Sequence, residues 1–206
     1  MKSLPGLLLT TLLLAAAHHA SAASSVDLTV KGLIVPSACT PGLSQNGMVD
    51  HGKVSAQDLN QDSGTLLEDR TLGFTMSCDG ATLMAIQAID NAAESSPEPT
   101  DSFGLGLLNG EKLGSFTLRM SNAIADGAVV QTIASDDMGK TWFAEPTMIP
   151  LSYQSVGAVS DATTPIPVQN LQLDLRVRTY IRPARNFDLS NEVDLKGSAT
   201  LQVVYL

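Results

Sequence analysis

Hydrophobic and polar residues alternate along much of the chain with a period of two, which is typical of half-buried β-strands. Two runs carry the pattern most clearly, residues 70–78 and 171–181. No long window has the spacing of an amphipathic helix, and no repeat marks a solenoid or propeller. The pattern therefore predicts an all-β sandwich. The residues predicted to face its core are Leu72, Phe74 and Met76 in the first run and Leu171, Leu173, Leu175, Val177 and Thr179 in the second.

Weaker signals predict the remaining strands at 47–54, 82–89, 103–108, 114–120, 129–133, 148–154 and 197–206. Asp79-Gly80 predicts a turn into a return strand at 82–89, and Asn109-Gly110 predicts a hairpin turn before 114–120. The polar segment 55–69 predicts a loop or short helix. Residues 90–101 combine two prolines with several acids and predict a mobile surface loop. Residues 182–195 are expected to connect the last two strands.

Residues 135–142 read S-D-D-M-G-K-T-W and resemble the Asp-box, a motif of hairpin turns in sialidase propellers and other β proteins. Ser135, Asp137, Gly139, Thr141 and Trp142 match its positions. The Asp side chain caps the turn and the Trp packs on a strand, so the motif is a folding device. A sialidase would carry several copies on a longer chain. The single copy here predicts a well-made hairpin.

The first alternating stretch, residues 25–36, follows an expected secretory signal peptide. Met1 and Lys2 precede an apolar run that is too short to span a bilayer, and Ala20-Ser21-Ala22 predicts cleavage after Ala22. In the stretch itself, Val26, Leu28, Val30 and Gly32 fall on one face. Two interpretations stay open from alternation alone. The stretch is either the first strand of its own domain or a spare strand that inserts into another molecule.

The composition of the chain limits the classes of function that it can have. The chain has 12 Lys and Arg against 21 Asp and Glu, so charge gives no reason to expect nucleic acid or anionic lipid as a partner. An exported chain with two cysteines, Cys39 and Cys78, predicts one disulfide, and one remaining histidine gives too few ligands for a structural zinc. That histidine, His51, stands beside Asp50 with no nucleophile assigned to it, and we expect it to be exposed. We expect no enzyme activity, cofactor or metal.

The two ends of the chain together resemble a chaperone–usher fimbrial subunit, a pilin, of the larger fimbrial-like kind. The resemblance rests on L-T-V-K-G-L-I-V-P-S-A-C at 28–39, on Cys78 at the end of a strand, on V-D-H-G-K-V-S at 49–55 and on the penultimate Tyr205. It implies an incomplete immunoglobulin-like β-sandwich that is completed by a donor strand. The implied organisation is a signal peptide at 1–22, a donor-strand extension at 23–33 and a sandwich domain at 34–206.

The resemblance also implies a mechanism. The donor face would be Val26, Leu28, Val30 and Gly32, and the acceptor groove would be flanked by the last strand. A periplasmic chaperone would fill the groove first, and a neighbouring fimbrial subunit would replace it at an outer-membrane usher. The product would be a fimbrium at the cell surface. The residues implied for the groove and chaperone contacts are Leu201, Val203, Tyr205 and Leu206, the last through its carboxylate.

A self-contained secreted or periplasmic β-sandwich, acting as a binding module, is the alternative. Under it, residues 26–35 would pair within their own domain. An exported hydrolase is a third, weaker alternative, because the sequence lacks a nucleophile motif such as G-x-S-x-G and a metal-binding cluster.

Overall fold

The computed structural model describes residues 29–31 and 38–206. The chain divides into two units, Met1–Ile34 and Val35–Leu206, and all the strands given below lie in the second. The predicted signal peptide at 1–22 and most of the predicted extension at 23–33 lie outside the described residues.

Antiparallel strands and four short 3-10 helices make up the regular structure of the described chain. The strands are β1 (Cys39–Leu43), β2 (Thr65–Leu66), β3 (Arg70–Thr82), β4 (Met84–Asp90), β5 (Phe103–Gly104), β6 (Leu107–Leu108), β7 (Glu111–Lys112), β8 (Gly114–Ala125), β9 (Ala128–Val129), β10 (Gln131–Ser135), β11 (Phe143–Ala144), β12 (Thr147–Met148), β13 (Tyr153–Gly157), β14 (Val168–Ile181) and β15 (Ala199–Tyr205). The 3-10 helices are Ser44–Gly47, Ala56–Asp58, Ala93–Ser95 and Ala184–Asn186.

Thirteen of the strands form two sheets that share one core, and β6 and β7 form a separate hairpin, so the predicted all-β fold is confirmed. The first sheet has the order β1-β3-β14-β8-β12, with β2 on β14 and with β5 and β9 on β8. The second has the order β11-β10-β13-β4-β15. Phe74 and Leu173 of the first sheet and Ile86 and Val156 of the second belong to the same buried cluster. The core therefore lies between the sheets.

The two strongest alternating runs are confirmed as the central strands of the first sheet. β3 pairs with β14 from Asn170↔Ser77 to Val177↔Arg70. Phe74 and Leu175, both on the predicted inner face, are each only 2 % exposed. Burying such a side chain fully stabilises a fold by about 1.5–3 kcal/mol. The alternation thus identifies the residues that hold the first sheet to the core.

The prediction that the chain turns at Asp79-Gly80, so that 82–89 returns along the preceding strand, is wrong. β3 continues through these two residues to Thr82, and the next strand, β4, joins the second sheet between β13 and β15. Met84, Ala85 and Ile86 are all buried, so β4 has apolar residues on both faces. The inner face of β4 packs in the main core, and its outer face packs in a small cluster of Ala85, Ile133 and Trp142.

Two other predicted strands are also corrected. Residues 47–54 contain no strand, and 148–154 is divided between β12 in the first sheet and β13 in the second. Pro150 lies in the turn between them. Because proline has no N–H to donate to a ladder, it ends one strand before the chain enters the other sheet.

The polar segment 90–101 is packed, contrary to the prediction of a mobile loop. Ser96 is fully buried, and its hydroxyl donates to the carbonyl of Ser102 at 3.0 Å. The ammonium of Lys112 donates to the carbonyl of Ser96 at 2.7 Å, and a carboxylate oxygen of Asp90 accepts from the N–H of Gly104 at 2.9 Å. The serines and acids of this segment therefore satisfy its own backbone, a role that composition alone does not reveal.

Other predictions agree with the structure. β6 and β7 form a hairpin around Asn109-Gly110, where both residues have positive φ, 51° and 87°, as a tight two-residue hairpin turn requires. The predicted strand 103–108 is present as β5 and β6, and the prediction 197–206 corresponds to β15.

The Asp-box prediction is confirmed in the turn between β10 and β11. One carboxylate oxygen of Asp137 accepts from the Ser135 hydroxyl at 2.8 Å and from the N–H groups of Lys140 and Thr141 at 3.0 and 2.9 Å. The other oxygen accepts from the Thr141 hydroxyl at 2.7 Å. These bonds, that from the Thr141 hydroxyl first, lower the pKa of Asp137 from 3.8 to about 2.

The tryptophan of the motif covers the outer face of the second sheet. Its indole N–H donates to the carbonyl of Gly139 at 3.0 Å, and its ring packs in a small cluster with Ala85 and Ile133. Val204 of β15 lies against the same cluster. The hairpin thus supports the second sheet from the side opposite the core.

The structure contains the predicted disulfide between Cys39 and Cys78. The two residues are directly paired in the β1–β3 ladder. The bond therefore fastens the first strand of the domain to a central strand of the first sheet.

The Asp137 carboxylate should stabilise the hairpin only while it is ionised. Because its pKa in the folded chain is about 2, below the unfolded value of 3.8, this stabilisation is present above about pH 4 and is lost as the pH falls toward 2. NMR titration of the Asp137 carboxyl carbon should give a midpoint near 2, and Asp136 is the neighbouring control. An ordinary aspartate midpoint at Asp137 would contradict the hydrogen-bond geometry.

Removing the disulfide should destabilise the domain, because the unfolded chain gains conformational freedom. Cys39 and Cys78 are 39 positions apart, and closing a loop of that length restricts the unfolded state by roughly 4 kcal/mol in the chain-entropy model. We expect the double variant Cys39→Ser, Cys78→Ser to lose about 2–4 kcal/mol of unfolding free energy in urea titrations. Reduction of the disulfide in the native chain should have the same effect. An unchanged urea midpoint would contradict the prediction that the disulfide stabilises the domain.

Candidate functional site: a groove beside the last strand

β15 forms one edge of the second sheet. It pairs with β4 along its whole length, from Ala199↔Asp90 to Tyr205↔Met84. Within the described residues β4 is its only ladder partner, so the N–H and C=O groups of its other edge face away from the sheet. An edge of this kind can accept a further strand.

β1 forms an edge of the first sheet on the same side of the molecule. The N–H of Cys39 donates to the hydroxyl of Tyr205 at 3.0 Å, which ties the two edges together at one end. Beyond β1 the chain leaves the sheet through the Ser44–Gly47 turn, and residues 48–55 run on without regular secondary structure. Among the described residues, no strand joins the two sheets along this side.

The opening reaches the apolar core. A cavity of about 230 Å³ has inner-face residues of the first sheet as its floor and β15 as one wall. A second cavity of about 560 Å³ adjoins it and shares Val49, His51 and Leu195 with it. We call the two cavities together the groove. The floor consists of Leu72, Phe116, Leu118, Leu175 and Val177, and the walls include Leu43, Val49, Ala199 and Leu201.

The predicted groove residues of β15 have different positions. Leu201 lines the groove, and Val203 packs against the core cluster, although both are only partly buried. The hydroxyl of Tyr205 accepts from the N–H of Cys39, and Tyr205 lines neither cavity. Leu206 is 45 % exposed, and its N–H donates to the carbonyl of Leu83 at 3.1 Å. Of the four residues, only Leu201 lines the groove.

Most of the predicted donor face lies outside the described residues, namely Val26, Leu28 and Gly32. Val30 is described, has no regular secondary structure and is 86 % exposed. A valine in that state leaves nearly all of its apolar surface in water.

His51 is part of the groove, and the expectation that it is exposed is wrong. It is partly buried, and its Nε2 lies 2.9 Å from the hydroxyl of Thr179, an inward-facing residue of β14. Burial, and then the charge of Arg70, lower the pKa of His51, while Asp50 and Glu68 act in the opposite direction. The sequence contained one signal for this position of His51. It stands two positions after Val49, the spacing of side chains on one face of an extended chain, and both residues line the groove.

Residues 187–195, part of the stretch 182–195 that was predicted only to connect two strands, also form part of the groove wall. Phe187, Val193 and Leu195 line the larger cavity. Their alternation with acidic and polar neighbours is the signal that sequence reasoning missed here.

The smaller cavity is mainly apolar, with His51, Thr179 and Ser198 as its polar side chains. The larger cavity is mixed, because Asp50, Ser190, Asn191, Glu192 and Asp194 also line it. Among residues 29–31 and 38–206, no three His, Cys, Asp or Glu side chains are grouped so that they could hold a metal ion. In that same part of the chain, no helix has the length and hydrophobicity needed to cross a membrane.

Comparison with known proteins identifies relatives over most of the chain. Residues 28–141 match the model of a family described as "Protein of unknown function (DUF1120)". The chain is 30 % identical to "Uncharacterized protein YhcF" of Escherichia coli K12, over 89 % of this chain and 92 % of that protein. It is 25 % identical to "Protein GltF" of the same organism, over 89 % of each.

One solved structure is similar over a large share of the chain. The P pilus rod subunit PapA aligns with 81 % of this chain and 99 % of its own, at 12 % identity and a TM-score of 0.35. At this score the likeness does not establish a common fold.

His51 should make the stability of the domain depend on pH. Because its pKa is lowered in the folded chain, the unfolded chain takes up the proton first as the pH falls through about 6.5. The free energy of unfolding should therefore fall below that pH, until the folded state is protonated as well. Urea titrations between pH 7.5 and 5 should show that the free energy of unfolding of the native chain decreases. The decrease should be smaller in the variant His51→Gln. A His51 NMR midpoint at or above 6.5 would contradict this.

Proposed function

We propose that this chain, which belongs to the DUF1120 family of proteins of unknown function, is a structural subunit that assembles by exchanging strands. In this proposal the groove accepts an extended strand from a neighbouring subunit, and residues 23–33 are the strand that the chain gives to the next one. The observation that carries the proposal is the apolar groove beside the free edge of β15.

The physical reason lies in what an added strand would satisfy. Its backbone would pair with the edge of β15, and its alternate side chains would fill the cavity of about 230 Å³ above the buried floor residues Leu72, Leu118 and Leu175. Both gains need an extended partner with apolar residues at every second position. A small soluble ligand could fill part of the cavity, but it would not satisfy the edge.

The N-terminal stretch has the sequence that such a partner needs. Val26, Leu28 and Val30 supply alternate apolar side chains, and Gly32 continues the row. The 86 % exposure of Val30 supports the proposal, because this valine is available for burial. Burying three such side chains and pairing one edge would give a stable, specific joint.

The partners implied by this proposal are neighbouring subunits of a fimbrium, a periplasmic chaperone and an outer-membrane usher. A free edge above an apolar groove aggregates readily, so a subunit of this kind needs temporary cover before assembly. Export to the cell surface agrees with the N-terminal signal pattern and with the disulfide. The role is structural and adhesive, without catalysis.

A self-contained binding module is the second candidate. The larger cavity favours it, since Asp50, His51 and Asn191 add polar groups to its apolar lining. Under this reading a small molecule enters the cavity, and β15 keeps its free edge.

Substitutions at two adjacent positions test the donor strand. Leu28→Asp should abolish self-assembly of the purified subunit, because the side chain must enter an apolar pocket and a buried unpaired charge costs several kcal/mol. Thr29→Asp, on the opposite face of the same stretch, should assemble like the native chain. Size-exclusion chromatography and electron microscopy measure the assembly.

This comparison requires that both variants fold like the native chain. Circular dichroism and the urea midpoint of the monomers should match those of the native chain, since residues 23–33 serve the neighbour. If Leu28→Asp assembles as well as Thr29→Asp, residues 23–33 do not act as a donor strand.

A further inference from the structure

Residues 187–197, here called the strap, have the sequence pattern of a strand. The odd positions from Phe187 to Gly197 are apolar or small except Asn191, and every even position is polar or charged. Yet the strap forms no strand. In the described part of the chain it has no ladder partner, and it runs beside the groove between the Ala184–Asn186 helix and β15.

Apolar residues of the strap line the groove, and the polar residues Ser190, Asn191, Glu192 and Asp194 also line its larger cavity. Val193 lines the larger cavity, Gly197 the smaller and Leu195 both. At its end the N–H of Lys196 donates to the carbonyl of Leu105 at 2.9 Å. Gly197 packs so closely that a Cβ there would lie 2.9 Å from side-chain atoms of Leu105 and Phe116. The strap thus covers one end of the groove where the floor residue Phe116 lies.

Only weak interactions fix the middle of the strap. Leu195 is still 39 % exposed. The ion pair of Glu192 with Lys53 joins two side chains that are at least 95 % exposed, and pairs of that kind stabilise a fold very little. Ser190 bonds to Asp188 and Asn191, which both belong to the strap itself. A competing strand would therefore displace few interactions.

The strap also repeats the sequence of the N-terminal stretch. Residues 193–197 read V-D-L-K-G, and residues 26–32 read V-D-L-T-V-K-G. The two extra residues, Thr29 and Val30, leave the alternation unchanged because side chains in a strand repeat every two positions. Val193, Leu195 and Gly197 correspond to Val26, Leu28 and Gly32, the positions assigned to the donor face.

We propose that the strap is an internal mimic of the donor strand, which covers one end of the groove until residues 23–33 of a second copy of this chain displace it. The proposal rests on the proposed function and adds two statements to it. The partner is another copy of the same chain, because the groove already holds that sequence pattern. The strap competes with the incoming strand, because both carry the same apolar residues to one apolar surface.

The test follows the uptake of a fluorescent peptide of residues 23–36 by the purified subunit, with fluorescence anisotropy as the readout. Leu195→Ser weakens the apolar contact of the strap and should speed association by about 5-fold, given a half-exposed leucine. Lys196→Ser, at an exposed side chain that lines neither cavity, is the matched control and should leave the rate unchanged. Hydrogen exchange should also show faster exchange at Lys196 once the peptide is bound, because its bond to Leu105 is released.

The outcomes separate this proposal from the proposed function. If the native peptide binds, Leu195→Ser binds it no faster and Lys196 keeps its protection, the strap is no competitor and the proposed function stands. If a peptide with Leu28→Asp binds as tightly as the native peptide, or if no subunit takes up the native peptide, both proposals fail. Leu195→Ala provides a second variant should the serine variant fold poorly, and the same acceleration is expected.

Discussion

The edge of β15 that has no strand partner among the described residues is the constraint on which the rest of this structure depends. Beside it, the groove has Leu72, Leu118 and Leu175 as a floor in which each residue is at most 4 % exposed, whereas the wall residue Leu195 is 39 % exposed. Unpaired backbone and exposed apolar walls are both costly in water. The domain therefore presents a surface that is better satisfied by an additional strand than by solvent.

Several other features hold the groove in shape. The Cys39–Cys78 disulfide fixes β1, and the contact from Cys39 to the Tyr205 hydroxyl joins the two edges at one end. The Asp-box hairpin supports the second sheet from outside, where Trp142 and Val204 belong to one apolar cluster. These contacts make the two edge strands rigid walls. A rigid opening favours binding, because less conformational freedom is lost when a partner enters.

Sequence alternation predicted the strands that have one face in the core and one in water. β3 and β14 are of this kind, and so their inner residues could be assigned in advance. β4 could not be placed the same way, because Met84, Ala85 and Ile86 are all buried and the pattern of a half-buried strand is absent. The crossing between sheets at Leu83 depends on long-range packing, which local turn residues do not encode.

The candidate site was predictable in part from the resemblance of the chain's two ends to a pilin. That resemblance implied a groove beside the last strand with Leu201 in it, and Leu201 lines the cavity there. His51 was missed because its partner, Thr179, is 128 positions away, and an isolated histidine in the sequence does not indicate such a contact. The strap was missed because its alternating pattern was read as a connection, whereas a pattern of this kind also marks a segment that covers an apolar surface.

Hydrogen exchange along β15 tests the central claim most directly. In a strand, successive N–H groups point to opposite edges, so only about half of the β15 amides can bond to β4. In the isolated subunit, the amides that bond to β4 should exchange slowly and the intervening ones quickly. Addition of the 23–36 peptide should slow the fast set and leave the slow set unchanged. Protection of every β15 amide before any peptide is added would contradict the account, as would a fast set that the peptide leaves unaltered.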